Sequence, residues 1–170
     1  MRKSGFMILI VGFIVLFWIL VGCGAEKKGA SLDVKKVTFV KYSGDTRTID
    51  MYIIKSDYHV DKYKIDYKGN GQLDLLGGEL PTKDEYSVKQ QEITEESWTD
   101  LVNVLSKVNF MELEEELPCD EVYDAPSYYI QVETVDAVHK SGGYNAGGGK
   151  DSANKRFKDV LDVLDYITRD

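Results

Sequence analysis

Thr94-Glu95-Glu96-Ser97-Trp98-Thr99-Asp100-Leu101-Val102-Asn103-Val104-Leu105-Ser106-Lys107-Val108 is the stretch from which the fold is read. Trp98, Leu101, Val102, Leu105 and Val108 recur at intervals of three and four, so on a helix they form one apolar stripe. Thr94 is an N-cap by residue type. Glu95 and Glu96 place negative charge in the first turn, where unpaired backbone N–H groups favour it. Phe157, Val160, Leu161, Leu164 and Ile167 repeat the stripe near the C-terminus. Two such helices require an apolar surface to cover.

The residues before the first helix supply that surface. Residues 36–42 and 48–55 are rich in β-branched and aromatic side chains with alternation, Val37 and Phe39 in the first and Ile49, Met51 and Ile53 in the second. Ser43-Gly44-Asp45 between them has turn chemistry, which predicts a β-hairpin. A third strand is expected over 59–67, with Tyr63, Ile65 and Tyr67 on one face and Lys62, Lys64 and Asp66 on the other, ended by Gly69-Asn70-Gly71. Residues 69–84 read as loop with a short apolar piece at 73–76, and 86–93 as a further strand. Between the helices, 128–133 and 138–144 read as strands joined near Asp136-Ala137, and Gly147-Gly148-Gly149 breaks the chain before the last helix. Strands, helix, strands, helix is the order of an α+β fold: a mainly antiparallel sheet with two amphipathic helices packed on one face. Parallel βαβ winding would need helices alternating singly with strands.

At 170 residues and 43% hydrophobic content the chain has room for one domain. Its net charge of -8 argues against a general nucleic-acid binder, which needs clustered Lys and Arg to replace phosphate counterions. Arg2 and Lys3 precede an uncharged apolar run from Phe6 to Val21, the pattern of an export signal. Leu20-Val21-Gly22-Cys23 at its end resembles the lipobox of bacterial lipoproteins. That resemblance implies cleavage before Cys23 and a diacylglyceryl thioether on its sulfur. Two or more acyl chains suffice for stable anchoring, where one is marginal. The alternative for the same run is an uncleaved transmembrane anchor. The expected organisation is a signal peptide over 1–22, a lipidated N-terminus and flexible tether over 23–34, and one α+β domain over 35–170. Losing Arg2 and Lys3 leaves the remaining chain two charges more negative.

Each candidate chemical constellation has a plainer structural reading. The run from Gly142 to Lys150 sits between strand and helix like a phosphate loop. It lacks the required spacing, because Tyr144 stands five before Gly149 and Asp151 replaces the Ser or Thr, so it reads as a flexible connection with Asp151 or Ser152 capping the last helix. Residues 66–71 share Asp, Asn and Gly with a calcium loop, but Lys68 occupies a ligand position and Gly77 the place of the final Glu. Glu112 to Glu116 with Asp120, Glu121 and Asp124 read as a solvated acidic loop. His59 and His139 have no zinc spacing, and pairing either with Cys119 or Ser141 for catalysis has no motif behind it. Cys119 reads as an inert thiol among carboxylates. No catalytic residue, metal or cofactor is therefore assigned. Tyr123, Tyr128, Tyr129 and Tyr144 form a candidate contact surface, since a Tyr ring is apolar and its hydroxyl polar; packing on half-buried strands is the competing use.

The Trp98 helix with Phe110, the Tyr128 strand, Ser141-Gly142-Gly143-Tyr144-Asn145-Ala146 and the Phe157 helix together resemble a group of uncharacterised small lipoproteins of Gram-positive bacteria. The resemblance implies a cell-surface location and no activity. The expected function is thus a membrane-anchored, extracytoplasmic binding or interaction module, held by its N-terminal lipid, with a protein or cell-wall partner and no nucleic acid. A cell-envelope hydrolase whose site the linear sequence hides, and an inhibitor or immunity-type lipoprotein with a basic partner, are the alternatives.

Overall fold

β1 (Val34–Tyr42) has apolar side chains at both parities, Val37 and Phe39 alternating with Val40 and Tyr42, and a strand so composed is satisfied only with cover on both sides. The computed structural model describes residues 32–43, 48–68, 73–119 and 123–169, and in it β1 lies inside a six-stranded sheet. The other strands are β2 (Thr48–Lys55), β3 (His59–Asp66), β4 (Tyr86–Glu92), β5 (Ser127–Thr134) and β6 (Val138–Tyr144). Their order across the sheet is β4-β3-β2-β1-β5-β6, with every neighbouring pair antiparallel. The helices are α1 (Glu95–Lys107) and α2 (Ser152–Thr168). The protein is therefore α+β, as its pattern predicts. Cys23 and the lipobox, Gly44-Asp45, Gly69-Asn70-Gly71, Asp120 and Glu121 lie outside the described residues. Among the described residues no helix is long and apolar enough to cross a membrane.

Alternation along β1 feeds two separate cores. Val37 and Phe39 join a cluster with Ile54, Val60, Ile130 and Val132, together with Trp98, Leu101 and Leu105 of α1 and Phe157, Val160 and Leu164 of α2. Phe39 lies at the centre of its row, stacked on Tyr52 at 5.7 Å and on Tyr128 at 6.3 Å between ring centroids. Full burial of each large apolar side chain in such a cluster contributes about 1.5–3 kcal/mol. Val40 instead joins Ile49, Met51, Ile65 and Leu75, with Tyr42, Tyr63, Tyr86 and Tyr129 packed at the margin. Leu75 comes from the short apolar piece of the 69–84 loop. Burying it folds that loop against the sheet, so the segment has a role its turn-rich sequence hides.

Local rules predicted the helix starts. Thr94 Oγ1 accepts from the Ser97 N–H at 3.1 Å, and Asp151 Oδ1 accepts from the Asn154 N–H at 2.9 Å. The helix ends depend on distant residues. Lys62 and Gln91 donate to the carbonyls of Thr168 and Ile167 at 2.9 and 3.2 Å, while Arg156 donates to the Val108 carbonyl at 3.0 Å. Lys62 does lie opposite Tyr63, as alternation requires, yet it is buried: its ammonium meets the negative end of α2 and lies 5.9 Å from the Tyr52 ring centroid. β1 begins at Val34 rather than 36, taking in the last residue assigned to the tether, because Val34 pairs with Thr134 across a bulge and is itself buried.

Candidate functional site

Tyr42 ends β1, and register brings Tyr129 of β5 beside it, since Val40 pairs with Tyr129 and Tyr42 with Ser127. The two rings meet edge to face, 6.0 Å between centroids and 87° between planes. The Tyr42 hydroxyl donates to the Leu73 carbonyl at 3.1 Å, tying the ring to the loop that carries Leu75. Leu73, Asp74 and Leu76 of that loop, with Tyr42 and Tyr129, line a half-open cavity of about 310 Å³.

The far wall comes from an unexpected place. The acidic segment does not simply hang in solvent: Leu113 and Leu117 are buried, and the backbone between them runs along the outer edge of β6. The Leu117 N–H donates to the Gly142 carbonyl at 2.8 Å, and the Gly142 N–H donates to the Glu115 carbonyl at 3.1 Å. Ser141 Oγ adds a bond to the Glu114 carbonyl at 2.7 Å. This short parallel bridge covers an otherwise open sheet edge and brings Glu115 and Glu116 to the cavity beside Lys140. Gly142 is required there, because a side chain would run into the Tyr128 carbonyl and stand 2.7 Å from Tyr129 Cα.

Among the described residues negative charge dominates the lining, with Asp74, Glu115 and Glu116 against Lys140, whose ammonium is 3.8 Å from Glu115. Both phenols register this field. Burial, followed by the neighbouring Tyr129 and Asp74, pushes Tyr42 up to about 12. Burial and Glu116 raise Tyr129. A phenol is protonated at neutral pH even at its ordinary value, and the Tyr42 proton is the one donated to Leu73.

The four tyrosines of the candidate contact surface are not gathered on one face. Tyr128 and Tyr129 are consecutive on β5, so one packs against the helix-bearing core and the other lines the cavity. Tyr144 binds back through its hydroxyl, which accepts from the Ala125 N–H at 2.9 Å, and Tyr123 is 94% exposed. Only Tyr129 belongs to the cavity. Its partner Tyr42 was hidden in a run that reads simply as strand; the sequence signal for it is the double parity of β1, which announces a second covered face.

Of the residues considered for catalysis, His139 and Ser141 stand two apart on β6 and so on one face of the sheet. Ser141 is fully buried with its hydroxyl donated to a main-chain carbonyl, and His139 has a buried Nε2 without a partner and packs edge-on against Phe110 at 5.8 Å. His59 is exposed beside Asp57 and Glu92, Cys119 is exposed, and neither histidine lines the cavity. The glycine-rich run is organised by Asn154, fully buried, whose Oδ1 accepts from the Gly147 N–H at 2.7 Å and whose Nδ2 donates to the Pro118 carbonyl at 2.8 Å. Those donors are spent within the fold and do not cradle a phosphate. A second cavity of about 360 Å³, lined by Leu32, Lys35, Trp98 and Val102 among others, sits where the described chain begins.

No protein-family model matches this chain, and no curated protein is significantly similar to it.

Proposed function

We propose that this chain is a lipid-anchored lipoprotein of the extracytoplasmic cell surface that acts as a binding module, with the Tyr42–Tyr129 cavity as its recognition site. The architecture inferred for it has both amphipathic helices on one face of the sheet. In support, their buried residues share a core with Val37, Phe39, Ile130 and Val132, while the opposite parity of β1 serves the cavity. The observation that carries the reading is the cavity lining itself: two half-buried phenols, two leucines and four charged groups, held by β1, β5, β6 and two loops. Aromatic and aliphatic walls can hold the apolar part of a ligand while fixed polar groups set its orientation; here half of those lining residues are charged.

The anchoring half follows from Leu20-Val21-Gly22-Cys23. Val34, where the strand begins, and Tyr42, at the cavity, stand at opposite ends of β1, roughly 26 Å apart by the ordinary strand rise. Two experiments test the proposal. Radiolabelled palmitate should label the wild-type protein and not Cys23→Ala; equal labelling of both removes the anchor. A panel of neutral, cationic and anionic small molecules, screened by amide chemical-shift changes on the full chain in micelles, should yield shifts clustered at Tyr42, Tyr129 and Lys140. If none of the panel moves those resonances, the cavity is not a recognition site.

A further inference from the structure

We propose that the cavity's ligand is an organic cation, an ammonium group on a short carbon stem. This rests on the binding-module reading and narrows it to a ligand class.

Size comes first. A space of about 310 Å³ corresponds to roughly ten waters at their share of the liquid, so it takes a small amine or one long side chain rather than a folded surface. Charge comes next: Asp74, Glu115 and Glu116 outnumber Lys140, and that one ammonium already leans toward Glu115. An anion would face three carboxylates, whereas an incoming ammonium meets them as counter-ions. The walls then separate an organic cation from a metal ion. Tyr42 and Tyr129 both line the space, which sets phenol rings within reach of a cation, and Leu73 and Leu76 offer contact for a carbon stem. Metal binding instead needs converging oxygen ligands, and among the described residues no three His, Cys, Asp or Glu side chains gather closely enough to hold a metal.

Lys140 acquires a definite role from this. It is the resident cation at the rim, in the position an arriving ammonium would contest, so it weakens the site for its own ligand class. Removing it should tighten binding, an effect opposite to that of almost any damaging substitution.

The test is a matched series titrated into the full chain in micelles and followed by amide shifts: butylammonium, butanol and butyrate, with Nα-acetyl-lysine N-methylamide as the side-chain counterpart. Butylammonium or the lysine derivative should shift the Tyr42, Tyr129 and Lys140 resonances at lower concentration than butanol, and butyrate should be weakest. Binding of both amines identifies the ammonium and stem as sufficient, and binding of the lysine derivative alone identifies a polypeptide source. Glu116→Gln, at an exposed position, should weaken the amine about two- to five-fold, and Lys140→Gln should strengthen it by a similar factor, the range set by partly exposed ion pairs. Butanol or butyrate binding as well as the amines, or Lys140→Gln failing to tighten, overturns the cation assignment while leaving the cavity as a recognition site. Silence from the whole series overturns both.

Discussion

Asn154→Ala should destabilise the fold measurably, through lost hydrogen bonds rather than lost packing. The side chain is fully buried at the third residue of α2 and satisfies groups from two other segments: it accepts from the Gly147 N–H at 2.7 Å and donates to the Pro118 carbonyl at 2.8 Å. It also donates to Asp151 Oδ2 at 2.7 Å, bracing the cap. Truncation leaves the Gly147 N–H and the Pro118 carbonyl without these partners. A buried polar group so orphaned costs about 1–3 kcal/mol. Ala is the better helix former, by at most about 0.7 kcal/mol, which does not offset two such losses. Pro118 is exposed and Gly147 half-buried, so water recovers part of each loss, and a net destabilisation of about 1–2 kcal/mol follows. Urea unfolding monitored by far-ultraviolet circular dichroism should show it as a lower midpoint with unchanged slope. Asn154→Asp should also destabilise, since it keeps the acceptor but turns a carboxylate toward the Pro118 carbonyl and the Asp151 carboxylate. If Asn154→Ala shifts stability by less than about 0.5 kcal/mol, the size of an ordinary surface change, the idea that this residue organises the glycine-rich loop is wrong.

Asp61 is held below its ordinary 3.8 by the Lys55 ammonium and by Gln90. The folded state therefore favours its ionised form, and that contribution, present above pH 3.8, is lost as pH falls through the lower folded value. Unfolding midpoints measured from pH 5 downward should decline less steeply in Asp61→Asn than in wild type, and identical slopes would contradict the assignment. Tyr42 has the opposite sense. Its folded value near 12 lies above the ordinary 10.0, so the unfolded state releases its proton first and stability falls as pH rises from 10 toward 12. Tyr42→Phe should flatten that alkaline decline, with an unchanged profile counting against it. Gly142→Ala should force β6 away from β5 and free the 115–117 bridge. Hydrogen exchange at the Leu117 and Gly142 amides should rise together, and protection retained at Leu117 would show that the bridge stands without the close β5–β6 approach.

The two helices and their starts were legible in the sequence because they depend on local physics: apolar spacing over three or four residues, and capping side chains within three residues of the groups they satisfy. Strand positions were legible for the same reason, through alternation and turn residues. The chain's order alone also carried the α+β class and the lipid site at Cys23 as an expectation.

Pairing between distant segments was decided by the tertiary structure. β1 takes β5 as its second neighbour although more than eighty residues separate them, and only that pairing sets Tyr42 beside Tyr129. The acidic run looked like a solvated loop because four glutamates broken by one leucine over 112–116 give no period; burial of Leu113 and Leu117 and two backbone bonds to Gly142 turned it into the wall of a cavity. Lys62 falls on the charged side of its strand's alternation, yet it meets the carbonyl end of α2, as Arg156 meets that of α1, each remote in sequence. The physical reason is common to all of these: a main-chain carbonyl or N–H carries no residue-specific signature, so its partner is chosen by which segments the two cores bring within reach.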